Sequence, residues 1–167
     1  MNLVHLWEQI RFHLLLHGSQ YKFYIESAAV AVLFYVGYTD FRTFKIRNGW
    51  VLLMLVLYAL LALVDRSPPE VVANVLLGVG MFAILLFFYT RGVVGGGDVK
   101  LLAVVSLWIK EGHAVPFSIL LLGFICLHVV MAKLSWAPTK PMAGGVAISF
   151  GPAVAGALIG AIIMGGV

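Results

Sequence analysis

Charged residues and cysteine are both scarce in this sequence. Of its 167 residues, 11% are charged and 62% are hydrophobic, whereas soluble domains carry about 25% charged residues. This deficit excludes an ordinary soluble domain, because the apolar segments are too long and too numerous for one aqueous core to bury. Cys126 is the only cysteine, which excludes a disulfide within the chain and a cysteine-rich zinc site.

The net charge of +4 does not come from a stripe of basic residues. Lys and Arg occur in short clusters between apolar runs, without the interleaved aromatic residues that a nucleic-acid-binding surface shows. Such clusters are typical of loops that fix the orientation of a protein in a membrane. We therefore expect contact with membrane lipid and none with nucleic acid.

Long apolar runs predict an all-α membrane helix bundle with about six spanning helices. Residues 1–22 mix apolar residues with Glu, Arg and His, a pattern that predicts an amphipathic helix at the membrane interface and not a signal peptide. No soluble appendage is evident, so residues 1–167 are predicted to form a single membrane-embedded domain. The predicted spans are Tyr24–Thr39, Gly49–Val64, Val71–Thr90, the short Val99–Ile109, Ala114–Ala132 and Val146–Val167.

The distribution of Lys and Arg predicts the orientation of these spans. The joints on one side hold seven of them: Arg42, Lys45, Arg47, Arg91, Lys100, Lys133 and Lys140. The other side holds four: Arg11, Lys22, Arg66 and Lys110. The richer side is predicted to be cytoplasmic. Asp40 ends the first span and Asp98 follows the third, so both aspartates are expected at this face, whether or not the fourth segment crosses.

Two carboxylates at one membrane face could perform general acid–base chemistry. If they lie close together they cannot both ionise cheaply, so one retains a proton and its pKa rises. The ionised partner can then take a proton from water while the protonated one polarises a carbonyl group. Either aspartate alone is more often a solvated helix end. Asp98 could also be an N-cap or first-turn residue of the fourth helix.

Three glycines, Gly95, Gly96 and Gly97, directly precede Asp98. Ordering three glycines costs conformational entropy, and one reason to retain them is a close approach of the backbone to another group, such as an extended peptide. The segment is not a phosphate-binding loop, because Asp98 stands where that motif requires lysine. Lys100 could pair with a carboxylate or extend its ammonium group to lipid headgroups.

The segment Gly95-Gly-Gly-Asp98-Val-Lys100-Leu resembles the signature of the GxGD membrane aspartyl proteases, specifically the type IV prepilin peptidases. Asp40-Phe-Arg42-Thr-Phe-Lys-Ile-Arg-Asn48 resembles the segment that follows the first catalytic aspartate of that family. Pro141-Met-Ala-Gly-Gly-Val-Ala-Ile148 resembles the opening of its last helix. The resemblance extends from Tyr38 to about Pro152.

This resemblance implies an endopeptidase at the cytoplasmic face of the bacterial inner membrane. It would remove the short basic leader of prepilins or pilin-like proteins, and it could work beside the pilus assembly machinery. The resemblance implies that Asp40 and Asp98 are the catalytic dyad. It also implies that Gly95, Gly96 and Gly97 shape the loop that carries Asp98. Three further residues match family positions, with a substrate-binding or a structural role left open: Arg42, Asn48 and Lys100.

The chain also departs from the larger members of this family. Those carry paired CxxC motifs and methylate the new N-terminus, so neither methylation nor a metal or other cofactor is expected here. The small size resembles the peptidases of the Tad system, which mature Flp-type pilins. His113 and His128 have no second ligand at metal spacing and are predicted to be packed or interfacial histidines. Gly156-x-x-x-Gly160 predicts close helix packing within the bundle.

Two alternatives to a peptidase remain at this point. A small transporter subunit would place its essential charges near the middle of the membrane, whereas Asp40 and Asp98 flank spans. A non-catalytic scaffold of a pilus or secretion machine would use the same membrane topology without needing two aspartates at one face.

Overall fold

The protein is a bundle of α-helices, as the sequence predicts. The structure, a computed structural model, describes residues 3–92, 94–110, 112–142 and 145–167, with side chains at 17–139 and 149–167 within those ranges. Six helices lie within the described residues: α1 (Leu3–Thr43), α2 (Asn48–Asp65), α3 (Pro68–Thr90), α4 (Gly96–Trp108), α5 (Ala114–Lys133) and α6 (Gly151–Ile163).

Three of these helices, α2, α3 and α5, are long and apolar enough to cross a membrane. The predicted amphipathic segment and the first predicted span form one continuous helix, α1, which is about 62 Å long at 1.5 Å per residue. No proline or run of turn-forming residues interrupts the helix there, so its backbone hydrogen bonding can continue. These helices confirm a membrane protein.

The prediction that the last span begins at Val146 is wrong. Residues 145–148 instead form strand β2 (Gly145–Ile148), which pairs antiparallel with β1 (Thr139–Met142), and α6 begins only at Gly151. Pro152 lies in the first turn of α6, where proline is favoured because its missing N–H would have no helical partner. The family-like segment Pro141–Ile148 therefore falls within this antiparallel pair of strands, the hairpin before the helix, and residues 143–144 lie outside the described residues.

The core lies where α4 meets α2, α3 and α6, and where α6 meets α1 and α5. Helices α5 and α6 approach closely because Gly156 and Gly160 have no Cβ atom. A Cβ at Gly156 would lie 3.1 Å from the Phe124 ring, and one at Gly160 would lie 3.0 Å from Leu120. The predicted packing role of these two glycines within the bundle is confirmed. The largest fully buried side chains include Trp108, Leu33, Met54, Leu61, Leu101 and Leu158.

One end of the bundle carries a group of paired charges. Lys22 Nζ lies 2.7 Å from Asp65 Oδ2 and 3.7 Å from Glu26 Oε1, and Lys110 Nζ lies 3.8 Å from the same Asp65 oxygen. These contacts connect α1, the end of α2 and the loop after α4. Asp40 lies further along α1, near its C-terminal end, and Asp98 lies at the N-terminal end of α4, away from the loop that holds Lys110, so both aspartates belong to the opposite end of the bundle.

Candidate active site

Asp40 lies three residues before the end of α1 and is 3% exposed. Its Oδ2 accepts two hydrogen bonds, from Ser149 Oγ at 2.9 Å and from the backbone N–H of Gly151 at 2.8 Å. Gly151 is the first residue of α6, whose N-terminus carries unpaired N–H groups and the positive end of the helix dipole. The first aspartate is therefore held by the last helix of the chain.

Gly151 approaches Asp40 so closely that no side chain fits between them. A Cβ at this position would lie 2.7 Å from Asp40 Oδ2 and 2.8 Å from its Cβ. Neither Ser149 nor Gly151 was identified as a site residue from the sequence. The Gly151-Pro152 pair at a helix start was the available signal, because a helix N-terminus is a ready-made site for an anion.

Asp98 lies in the first turn of α4, just ahead of the apolar segment 99–109. Burial is the main cause that raises the pKa of this carboxyl group from 3.8 to about 7, and the negative charge of Asp40 raises it further. A backbone hydrogen bond from Gly95 acts in the opposite direction. Asp98 therefore retains its proton to much higher pH than an ordinary aspartate.

The three glycines before Asp98 are each confined by a neighbouring group. A Cβ on Gly95 would lie 2.7 Å from Asp98 Oδ2, and one on Gly96 would lie 3.2 Å from the Tyr89 ring. A Cβ on Gly97 would lie 3.1 Å from Ile46 Cβ. The glycine backbone therefore approaches side chains of the protein itself. These contacts pack the first turn of α4 against α3 and against the loop between α1 and α2.

Both aspartates line one cavity of about 560 Å³. Its other walls are the loop between α1 and α2 and the glycine segment before α4. Phe44 turns the chain at the end of α1 with φ 53°, and its N–H donates to the backbone carbonyl of Asp40. The lining residues are Asp40, Phe44, Lys45, Ile46, Arg47, Asn48, Gly95, Gly96, Gly97 and Asp98.

Arg42, Asn48 and Lys100, which match family positions without an assigned role, differ in where they lie relative to the cavity. Lys100 Nζ donates to Asn48 Oδ1 at 3.1 Å, which connects the first turn of α2 to the start of α4 at the cavity. The Arg42 guanidinium lies 5.2 Å from the centre of the Tyr38 ring, a cation–π distance, and Arg42 does not line the cavity. Asn48 thus lines the cavity, Lys100 contacts Asn48 without lining the cavity, and Arg42 packs along α1.

The two carboxyl groups have different surroundings. Asp40 has two hydrogen-bond donors on one oxygen, whereas Asp98 is partly buried and has a pKa near 7. Among the described residues, neither forms an ion pair with a cation, and no group of three His, Cys, Asp or Glu residues could hold a metal ion. Two carboxyl groups held in different environments can act as a base and an acid.

Comparison with known proteins identifies the family. The family model of the type IV leader peptidases matches residues 27–131, more than half of the chain. The matched range includes both aspartates and the glycine segment, and it stops before the hairpin at Pro141. No curated protein and no solved structure matches the chain. A membrane helix bundle with this match over most of its length belongs to the type IV leader peptidase family.

Proposed function

We propose that the protein is a membrane aspartyl endopeptidase in which Asp40 and Asp98 activate water to cut a peptide bond. The observation that carries this proposal is the shared cavity, in which burial and, to a smaller extent, the Asp40 charge raise the pKa of Asp98 to about 7. Below about pH 7 Asp98 therefore carries a proton that it can donate, which is the state that acid–base hydrolysis needs. The family of the chain is a peptidase family.

The reaction assigns one role to each carboxyl group. Asp40, whose Oδ2 is already occupied by two donors, takes a proton from water as the oxygen of that water bonds to the scissile carbonyl carbon. Asp98 gives its proton to the carbonyl oxygen, so that a neutral gem-diol forms. Asp98 then takes a hydroxyl proton back while Asp40 protonates the departing nitrogen. The C–N bond breaks and both groups return to their starting states.

The substrate that we propose is the short basic leader of a type IV prepilin or pilin-like protein, cut at the cytoplasmic face of the inner membrane. The family match supports this class of substrate. The richer supply of Lys and Arg in the joints beside the aspartates supports a cytoplasmic site. We further propose that residues 1–167 act as one membrane domain that serves a Tad-type pilus, without an N-methyltransferase activity.

Co-expression with a prepilin tests the dyad directly. The wild-type chain is compared with Asp40→Asn and Asp98→Asn, and cleavage is measured by the mobility and N-terminal sequence of the pilin. Both substitutions are expected to reduce cleavage at least about 1,000-fold, because each removes one of two groups that must act together. Asp65→Asn is the matched control, since it changes an aspartate at the opposite end of the bundle.

The outcomes separate an enzyme from its alternatives. Leader removal that persists in both dyad variants would reject the peptidase proposal. If the wild-type chain leaves the prepilin uncut while pilus assembly still depends on the chain and not on its aspartates, a non-catalytic scaffold is favoured. If the aspartates instead control ion or solute flux in vesicles without any cleavage, a small transporter subunit is favoured.

A further inference from the structure

His128 is a buried ionisable side chain to which the reaction above gives no role. It lies on α5, is 7% exposed, and its Nε2 has no hydrogen-bond partner among the described residues. A buried ring nitrogen without a partner is costly, and ionisable groups on spanning helices more often serve function than packing.

The register between α5 and α6 places His128 beside the group that holds Asp40. Leu120 lies against Gly160, and Phe124, one turn further along α5, lies against Gly156. The helices run antiparallel, so the next turn of α5 brings His128 level with Pro152. Pro152 directly follows Gly151, whose N–H donates to Asp40.

A second contact places His128 against α1. Its ring lies 5.9 Å from the ring of Phe41, nearly perpendicular at 86°, and Phe41 is the residue after Asp40. His128 therefore contacts α1 at the level of the first aspartate, and the register of α5 on α6 places it at the same level.

Phe41, the α1 residue in contact with His128, lies between two charged residues, Asp40 and Arg42, and the Arg42 guanidinium lies over the Tyr38 ring. Burial is the larger influence on the His128 imidazole, and the charge of Asp40 acts on it in the opposite direction. Neither α6 nor β2 contains a titratable residue. Two lysines complete the surroundings. Lys133 lies on α5 itself and is exposed, and Lys140 lies on β1, with its side chain outside the described residues.

We propose that His128 is a positioning residue for Asp40, and that its imidazole stabilises the Asp40 carboxylate through charge, directly or through one bound water. The structural half of this proposal concerns only the coupling between the two side chains. Its consequence for cleavage rests on the proposed peptidase function.

An NMR titration of the imidazole tests the coupling without any assay of activity. The full chain, labelled with ¹⁵N-histidine in detergent micelles, is titrated as wild type and as Asp40→Asn, and the His128 resonance is assigned by its loss in His128→Gln. Because coupling between two sites is reciprocal, the neutral amide of the Asp40→Asn variant is expected to shift the His128 midpoint to lower pH by at least about 0.5 unit. An unchanged midpoint would overturn the proposal even if cleavage by the enzyme were established.

The pH dependence of cleavage tests the consequence for the reaction. In His128→Gln the acid limb of the kcat/KM profile is expected to move to higher pH by at least about 0.5 unit, since an imidazolium no longer stabilises the Asp40 carboxylate. His128→Phe retains an aromatic contact with Phe41 and carries the same expectation if the Gln variant does not fold.

Phe117→Leu is the matched control for burial, because Phe117 lies on the same helix and is also 7% exposed. This control is expected to leave the shape of the profile unchanged. A His128 profile that superposes on the wild type after scaling would contradict a charge effect. Absence of cleavage in the wild type would reject the peptidase proposal instead, while the NMR titration would still decide the coupling.

Discussion

The two ends of the bundle surround their carboxylates in opposite ways. At one end Asp65 lies within 4 Å of two lysines, Lys22 and Lys110, and all three side chains are partly exposed. At the other end Asp40 and Asp98 are more buried and, among the described residues, have no cation partner. Burial raises the pKa of Asp98 to about 7, so this end of the bundle holds a proton that can be transferred. The ion pairs around Asp65 suit a structural role, whereas the two aspartates at the other end suit proton transfer.

The largest effect is expected from a substitution at Gly151, whose backbone N–H donates to Asp40. Gly151→Ala is expected to reduce cleavage at least about 100-fold, because a misplacement of a reacting group by about 1 Å can cost that much. The new Cβ would lie 2.7 Å from Asp40 Oδ2, and the carboxylate must move away. The measurement is the rate of leader removal at equal amounts of membrane-inserted protein.

Gly49→Ala is the control for this substitution. Gly49 follows Asn48 in the first turn of α2, near the same cavity, but a Cβ there would meet nothing within 4 Å. We expect its cleavage rate to stay within about two-fold of the wild type, since surface changes that create no contact cost little. Equal losses in both variants would show that the site tolerates no change in this region, and that the Gly151–Asp40 contact has no special part.

The pH dependence of stability sharpens the contrast for Asp98. Its carboxyl group keeps a proton to about pH 7 in the folded chain, because burial raises its pKa from the ordinary 3.8. Between about pH 4 and 7 the folded chain therefore binds more protons than the unfolded chain, and its stability falls as pH rises. Asp98→Asn removes this loss and is expected to raise the melting temperature by about 5 °C at pH 8, for a gain on the order of 2 kcal/mol.

The same variant is expected to melt like the wild type at pH 4, where Asp98 is largely protonated in the folded chain and the loss of stability has barely begun. Thermal unfolding in detergent at pH 4, 6 and 8 gives the comparison. A difference that stays constant across this range would show that Asp98 titrates as an ordinary exposed aspartate, which would contradict its burial.

Asp65 carries the smallest and opposite expectation. Asp65→Asn removes the contacts with Lys22 and Lys110, and partly exposed pairs of this kind contribute about 0.2–1 kcal/mol. The melting temperature is expected to fall by about 1–4 °C, and by less in high salt, which screens such pairs. If Asp65→Asn instead raised the melting temperature, as we expect for Asp98→Asn, the proposed difference between the two ends of the bundle would be wrong.

Helix positions were predictable because apolar runs between charged joints report the length of each span directly. The glycines before Asp98 and the shared face of the aspartates were also visible in the sequence. Ser149 and Gly151 were not, because their partner Asp40 lies 109 and 111 residues away in the chain. A tertiary contact of this range leaves no periodic signal, and the apolar composition of Val146–Ile148 fits a strand as well as a helix.

Asp40 and its two hydrogen-bond donors are also synthesised at different times. A ribosome that makes this chain completes the first helix more than a hundred residues before it reaches Ser149 and Gly151. Until α6 is in place, Asp40 lacks both of its hydrogen-bond donors and the helix terminus that confines it. The buried geometry of Asp40 can therefore form only once α6 has packed against α1, so a partly synthesised chain lacks an assembled site.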